Sequence, residues 1–199
     1  MNSQWEDIVR KRVQLYGHRN WLVITDAAYP AQSKPGIETI VAGKEITAVL
    51  ARVFRVLRTC KHITAKVWID EEMKYVQERD APGITAHRKR LGALLDGYSL
   101  CALQHEKIIS RLDHLSEKFR VLLVKTNTRI PYTSVFFEFG CGYWNADAET
   151  RLRAAMPFRS SPNDDEDEEL PVLESLNTRP DSRAPKKSES RQKTGAKRG

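Results

Sequence analysis

Cysteine is scarce in this chain. Three residues in 199, Cys60, Cys101 and Cys141, stand far apart. Without a CxxC pair or a zinc-type Cys/His spacing, neither a disulfide framework nor a structural zinc site is encoded, and reduced, buried thiols are expected. Long apolar runs are missing too. No stretch nears the roughly 20 apolar residues of a membrane-spanning helix. The start, MNSQWEDIVRKR, holds no apolar h-region, so a cytoplasmic chain is expected. The phosphate-cradling patterns GxGxxG and GxxxxGKS/T do not occur, which removes the usual sign of a nucleotide cofactor. No His/Asp/Glu cluster marks a metal. The expectation is a protein that needs neither cofactor nor metal.

What is present is ordinary for a globular chain: 40% hydrophobic and 30% charged residues. The net charge of +7 raises the question of nucleic acid. Residues 158–199 hold nine Lys/Arg and nine Asp/Glu, so the excess lies in the first 157 residues, spread over helices. Aromatics interleaved with the basic residues, as base stacking would need, are not evident. A solvated basic surface accounts for the charge better, and neither a nucleic-acid nor a membrane partner is expected.

Two regions differ in composition. The segment 158–199 places six acids in a row, Asp164 to Glu169, before a polar, mostly basic end. It carries too little apolar surface to offset its ordering entropy and is expected to be a disordered tail. Residues 1–157 alternate helix and strand signals. Trp5, Ile8, Val9, Val13 and Tyr16 recur at helical spacing. Trp21 to Thr25 read as a strand buried on both faces, followed by a Pro- and Gly-rich loop over Ala27 to Gly43. Ile46, Val49, Leu50, Val53, Phe54 and Leu57 form one stripe of a second helix. Ala65 to Ile69, Leu100 to Leu103, Val121 to Val124 and Ser134 to Phe139 are predicted strands. Helices are predicted over Thr85 to Leu95 and from His105 onward. His87, inside the basic run HRKR, and His114 are read as solvated helix positions. This alternation predicts an α/β fold in three layers, α/β/α, with helices on both sides of one sheet.

In such folds, ligands collect in the crevice beyond the strand ends. Asp26 sits at one of those ends, and Asp70 closes another strand and can rim the same crevice. Asp26 can equally cap the turn that follows it. His18 sits on the turn entering the first strand, eight residues before Asp26, too far along an extended chain to touch it. The two can share a site only with help from other segments or from another subunit.

The stretch GHRNWLVITDAAYP, Gly17 to Pro30, resembles the N-terminal signature of the D-ribose pyranase / L-fucose mutarotase family: a Gly-His turn, a hydrophobic strand, then Asp-Ala-x-x-Pro. KTNTRIPYTSVFFEFG, Lys125 to Gly140, is similar to that family's closing segment, where a Pro-Tyr-x-Asn element leads into the last strand. His105 opens a helix between the two, as a histidine does in the ribose pyranases, so the resemblance covers about residues 4–144. It implies a mixed sheet and a cofactor-independent interconversion of anomeric or ring forms of a free monosaccharide by proton transfer. His18 would be the acid/base, and Asp26 would orient it or bind a sugar hydroxyl. His105, Tyr132, Ser134 and Arg129 would contact the sugar. The resemblance further implies a ring-shaped homo-oligomer, commonly a decamer, with its pockets between neighbouring subunits. This chain departs from the pattern in two places. Ser134 stands where the family has asparagine, and TNTRI, with Arg129, replaces the usual Gly-Glu. A non-catalytic sugar-binding or regulatory protein on the same fold is the alternative those departures motivate.

Overall fold

A computed structural model describes residues 4–156. The expected tail, 158–199, lies outside the described residues.

The chain runs α1 (Gln4–Leu15), β1 (Trp21–Thr25), β2 (Ile37–Val41), α2 (Ile46–Thr59) and β3 (Ile63–Asp70). A single 3-10 turn (Glu71–Lys74) leads to α3 (Ile84–Leu95), β4 (Leu100–Leu103), α4 (His105–Leu115), β5 (Val121–Lys125), β6 (Val135–Cys141) and α5 (Ala146–Ala155). The six strands form one sheet in the order β2-β5-β1-β6-β3-β4. β1, β2 and β5 are parallel to one another, as are β3 and β4. β6 runs antiparallel to both its neighbours, β1 and β3. Five strands therefore share one direction, and the sheet is mixed.

Side-chain alternation along the strands builds two cores, one on each face. Leu22, Ile24, Val67, Val135 and Phe137 pack with Val9 and Val13 of α1, Val49, Val53 and Phe54 of α2, and Ile84 and Leu91 of α3. Trp21, Val23, Trp68, Phe136 and Leu123 pack with Ile108 and Leu112 of α4 on the other face. This is the three-layer α/β/α arrangement.

Two elements and one side chain differ from the sequence expectation. The stretch predicted as a loop over Ala27 to Gly43 contains β2, the edge strand, paired with β5. Pro35-Gly36 before it and Gly43 after it mask its β-branched run IETIV. Gly36 is required by space, because a Cβ there would sit 2.0 Å from the Ser116 carbonyl oxygen. α5 carries no buried residue; Asn145 caps it by accepting from the Ala148 amide at 2.8 Å. His87 is not solvated. It is 0% exposed, and α3 turns it toward Glu45, 3.9 Å away. Neither ring nitrogen has a hydrogen-bond partner, and burial lowers its pKa.

Among the described residues, no helix is long and apolar enough to cross a membrane. No group of three or more His, Cys, Asp or Glu side chains among them could hold a metal ion.

Candidate functional site

The strand directions decide which polar residues can meet. The ends of β1, β3, β4 and β5 and the start of β6 lie along one edge of the sheet. That edge carries Asp26, Asp70, His105, Tyr132 and Ser134. His18 precedes β1 and sits at the opposite edge, with the five residues of β1, roughly 16 Å of extended chain, in between. His18 is exposed there, and its Nε2 accepts from Arg19 Nε at 3.3 Å.

His105 is the best-held titratable group at the first edge. Its backbone amide donates to both carboxylate oxygens of Glu72, at 3.0 and 3.1 Å, so the 3-10 turn after β3 caps α4. Its Nδ1 donates to Asp70 Oδ1 at 3.0 Å. Asp70, the last residue of β3, has a fully buried side chain. Desolvation pushes the Asp70 carboxyl up, with the bond to His105 opposing. The same hydrogen bond, against desolvation, raises His105 above the ordinary imidazole value, and the charges of Asp70, Glu106 and Glu72 add to the rise. The bond to Asp70 fixes Nδ1 as the protonated nitrogen and leaves Nε2 without a hydrogen-bond partner among the described residues.

Two tyrosines flank that imidazole, both edge-on. Tyr29 lies 6.2 Å away between ring centroids and Tyr132 5.6 Å. Tyr29 is placed by Asp26, whose Oδ1 accepts from the amides of Ala28 (2.8 Å) and Tyr29 (3.0 Å). Asp26 thus does cap the turn after β1. It also lies close enough to Asp70 and Tyr29 for its charge to push both their pKa values upward. Tyr132 has a φ of 57°, a left-handed backbone that is uncommon for a bulky residue, and its ring is partly exposed.

Beneath these rings runs a row of unsatisfied oxygens. Ile24 pairs with Val135 and Val135 with Ile69, so the next positions, Thr25, Ser134 and Asp70, lie abreast on three adjacent strands. Alternation directs all three to the α4 face, with Trp21, Trp68 and Phe136. Thr25 Oγ1, Ser134 Oγ and Asp70 Oδ2 are all buried and none has a hydrogen-bond partner. Buried polar atoms are normally paired, and three orphans side by side form a template for hydroxyl or water partners.

The structure therefore brings Asp26, His105, Tyr132 and Ser134 to one edge and leaves His18 at the other. Arg129 stands exposed on the loop before Tyr132 and makes no ion pair among the described residues. Thr25, Tyr29 and Glu72 were not singled out from the sequence. Tyr29 lay inside the motif Asp-Ala-Ala-Tyr-Pro, and Thr25 ends the strand that the motif contains.

Three solved structures are similar to this chain. One is Bacillus subtilis RbsD complexed with D-ribose, at 20% identity and a TM-score of 0.46, covering 70% of this chain and 93% of that one. Another is the fucose mutarotase of Streptococcus pneumoniae in complex with L-fucose, at 19% identity and a TM-score of 0.44, covering 65% and 89%. FucU from Bifidobacterium longum matches at 13% identity and a TM-score of 0.45, over 67% and 94%. No protein-family model matches the sequence, and no curated protein does.

Proposed function

We propose that this chain is a cofactor-independent monosaccharide mutarotase or pyranase, an isomerase acting on a free sugar. One observation carries the reading: an imidazole locked by a buried carboxylate, with its second nitrogen unpartnered, stands beside three unsatisfied oxygens. Opening a hemiacetal takes a proton from the anomeric hydroxyl and delivers one to the ring oxygen. Closing on the other face, or through another hydroxyl, gives the isomer. His105 Nε2 both accepts and returns that proton, because an imidazole whose other nitrogen is held by a carboxylate can take up and release a proton there. In this reading Thr25, Ser134 and Asp70 Oδ2 are the partners for sugar hydroxyls, and the rings of Tyr29 and Tyr132 stand beside the imidazole.

His105 is the proton carrier that one chain supplies by itself. His18 serves as acid/base only when a neighbouring protomer delivers it, which makes a homo-oligomer part of the proposal. Arg129, exposed beside Tyr132, contacts the sugar in the same assembly.

The second reading is a sugar-binding protein without catalysis. It is favoured by the position of His18 at the far edge and by the short reach of the Ser134 hydroxyl. Saturation-transfer NMR with ribose, fucose and a panel of other monosaccharides separates the two. Accelerated exchange between anomers at catalytic protein concentrations, lost in His105→Ala, supports the enzyme. Line broadening or saturation transfer without faster exchange supports the binder. No interaction with any sugar sinks both.

A further inference from the structure

The opposite edge and the opposite face of the sheet hold a groove that the sugar reading does not use. Two adjoining depressions, of about 290 and 430 Å³, run between the last turns of α2 and α3 and over the start of β3, sharing Arg58 and Tyr98. Leu57, Ile63, Ala93 and Leu94 give the groove an apolar floor and wall. Its surroundings are basic. Arg55, Arg58 and Lys61 follow one another along the end of α2 and the turn after it, with Asp96 the one acid lining either depression. Among the described residues, none of these three cations forms an ion pair.

The rest of the chain has the complementary chemistry. Asp164 to Glu169 are six consecutive acids, and the apolar residues Leu170, Val172, Leu173 and Leu176 follow at once. Between Phe158 and Gly199 no other large aliphatic residue occurs. The last strand also ends beside the groove. The end of β6 pairs with the groove's own strand, Cys141 with Ile63 and Gly140 with Thr64, and the Gly142 amide donates to the His62 carbonyl at 2.9 Å. From Met156 to Asp164 an extended chain reaches up to roughly 27 Å. A domain of this size has a radius of gyration of about 15 Å, so the acids come within reach of α2.

We infer that residues 164–176 of the same chain dock on this groove. The acids sit against Arg55, Arg58 and Lys61, and Leu170, Val172, Leu173 and Leu176 cover the apolar strip. Tethering favours the chain's own segment over that of another copy, since a short connection holds it at an effective concentration of about millimolar.

Hydrogen exchange of the full chain read by mass spectrometry tests this. In the wild type, amides of residues 170–176 should exchange roughly tenfold more slowly than in Arg58→Glu or Leu173→Asp, as a segment docked about nine-tenths of the time does. Leu173→Asp removes nothing from the packing of residues 4–156, so it answers for any folding defect of Arg58→Glu. Equal exchange in all three proteins overturns the inference. Zero-length carbodiimide coupling of Lys61 to the acids, in a mixture of light and heavy isotope-labelled chains, is the second readout. Light–light and heavy–heavy products support docking within one chain. Products that are mixed in statistical proportion show that another copy's segment occupies the groove and overturn it too.

Discussion

The two edges of the sheet use polar atoms in opposite ways. At the edge where β1 begins, several polar groups are committed locally. Gly17 N donates to Asn20 Oδ1, Asn20 Nδ2 to the Arg120 carbonyl and Arg120 to the Pro35 carbonyl, while the Arg19 amide donates to Phe139 O. At the edge where β1 ends, Thr25, Ser134 and Asp70 each keep a buried oxygen with no partner. The other orphans among the described residues, the indole nitrogens of Trp5 and Trp21 and the ring of His87, lie singly. A buried unpaired polar atom costs about 1–3 kcal/mol, so three together make one edge less stable than the same backbone could be. The edge where β1 begins ties its polar atoms into the fold, whereas the edge where β1 ends leaves three side by side without partners.

The largest expected break in this contrast is His105→Ala. Positioned proton transfer contributes about 10²–10⁴-fold, and the loss of anomer exchange should fall in that range. The circular dichroism spectrum should stay unchanged, because the Glu72 cap acts on the backbone amide of residue 105, which alanine keeps. Exchange that survives unaltered in the variant removes His105 from the chemistry and returns the role to a neighbour's His18.

Gly36→Ala attacks the other edge. The added methyl meets the Ser116 and Phe119 carbonyls at 2.0 and 2.7 Å, both backbone atoms that cannot swing aside. Overpacking of this kind costs about 3 kcal/mol, the upper end of its usual range. For a chain of this length that lowers Tm by roughly 10 °C. At temperatures where the variant remains folded, anomer exchange per folded molecule should match the wild type, since β2 lies two strands from β1 and takes no part in the orphan row. A matched loss of exchange would mean that the two edges are not independent.

How far these edges could be read from the sequence follows from their physics. The layering was legible, because apolar periodicities reflect burial directly: Val49, Val53 and Phe54 on α2 and the unbroken WLVIT of β1 went where their patterns pointed. β2 was hidden because an edge strand with one exposed side looks like loop when Pro and Gly bracket it. His87 was misread because HRKR suggests water, whereas the helix rotates His87 inward and leaves its neighbours outside. Asp26 and His105 were found as strand-end and helix-start residues. Asp70 was legible as a strand end too, but its place in one row with Thr25 and Ser134 depended on strand order. Only once β6 is known to run between β1 and β3 do positions 25, 134 and 70 become neighbours.

Asp70→Asn probes the pair itself and should have a subtler effect. The bond from His105 to Asp70 is the largest cause raising the imidazole pKa. A raised value means that the neutral form, which accepts the anomeric proton, accumulates only above the ordinary imidazole range. The wild-type rate should therefore rise with pH through a limb displaced upward. With the carboxylate gone, desolvation acts without its main opponent, and the limb should move to lower pH. Amide 70 can still accept from Nδ1, so most of the rate at high pH should persist. A pH profile whose limb does not move would show that the pair is structural only.

Ser134→Ala gives the smallest effect and the sharpest test, because its two readouts should move in opposite directions. The hydroxyl is 1% exposed by residue and makes no hydrogen bond, so folding strips its water and returns nothing. Deleting it should raise stability by about 1 kcal/mol, the low end of the unsatisfied-group cost. That corresponds to a Tm increase of roughly 2–4 °C for a protein of this length. If the hydroxyl instead meets a sugar, its loss should weaken binding by about fivefold to tenfold, the value of one ordinary hydrogen bond. Thr25→Val should act in the same way, with the methyl filling the oxygen's place. A stabilised variant that binds sugar as well as the wild type would mark the row as a flaw in packing. A destabilised one would mean that the hydroxyl is already satisfied by water, and the contrast between the edges would shrink to the Asp70–His105 pair.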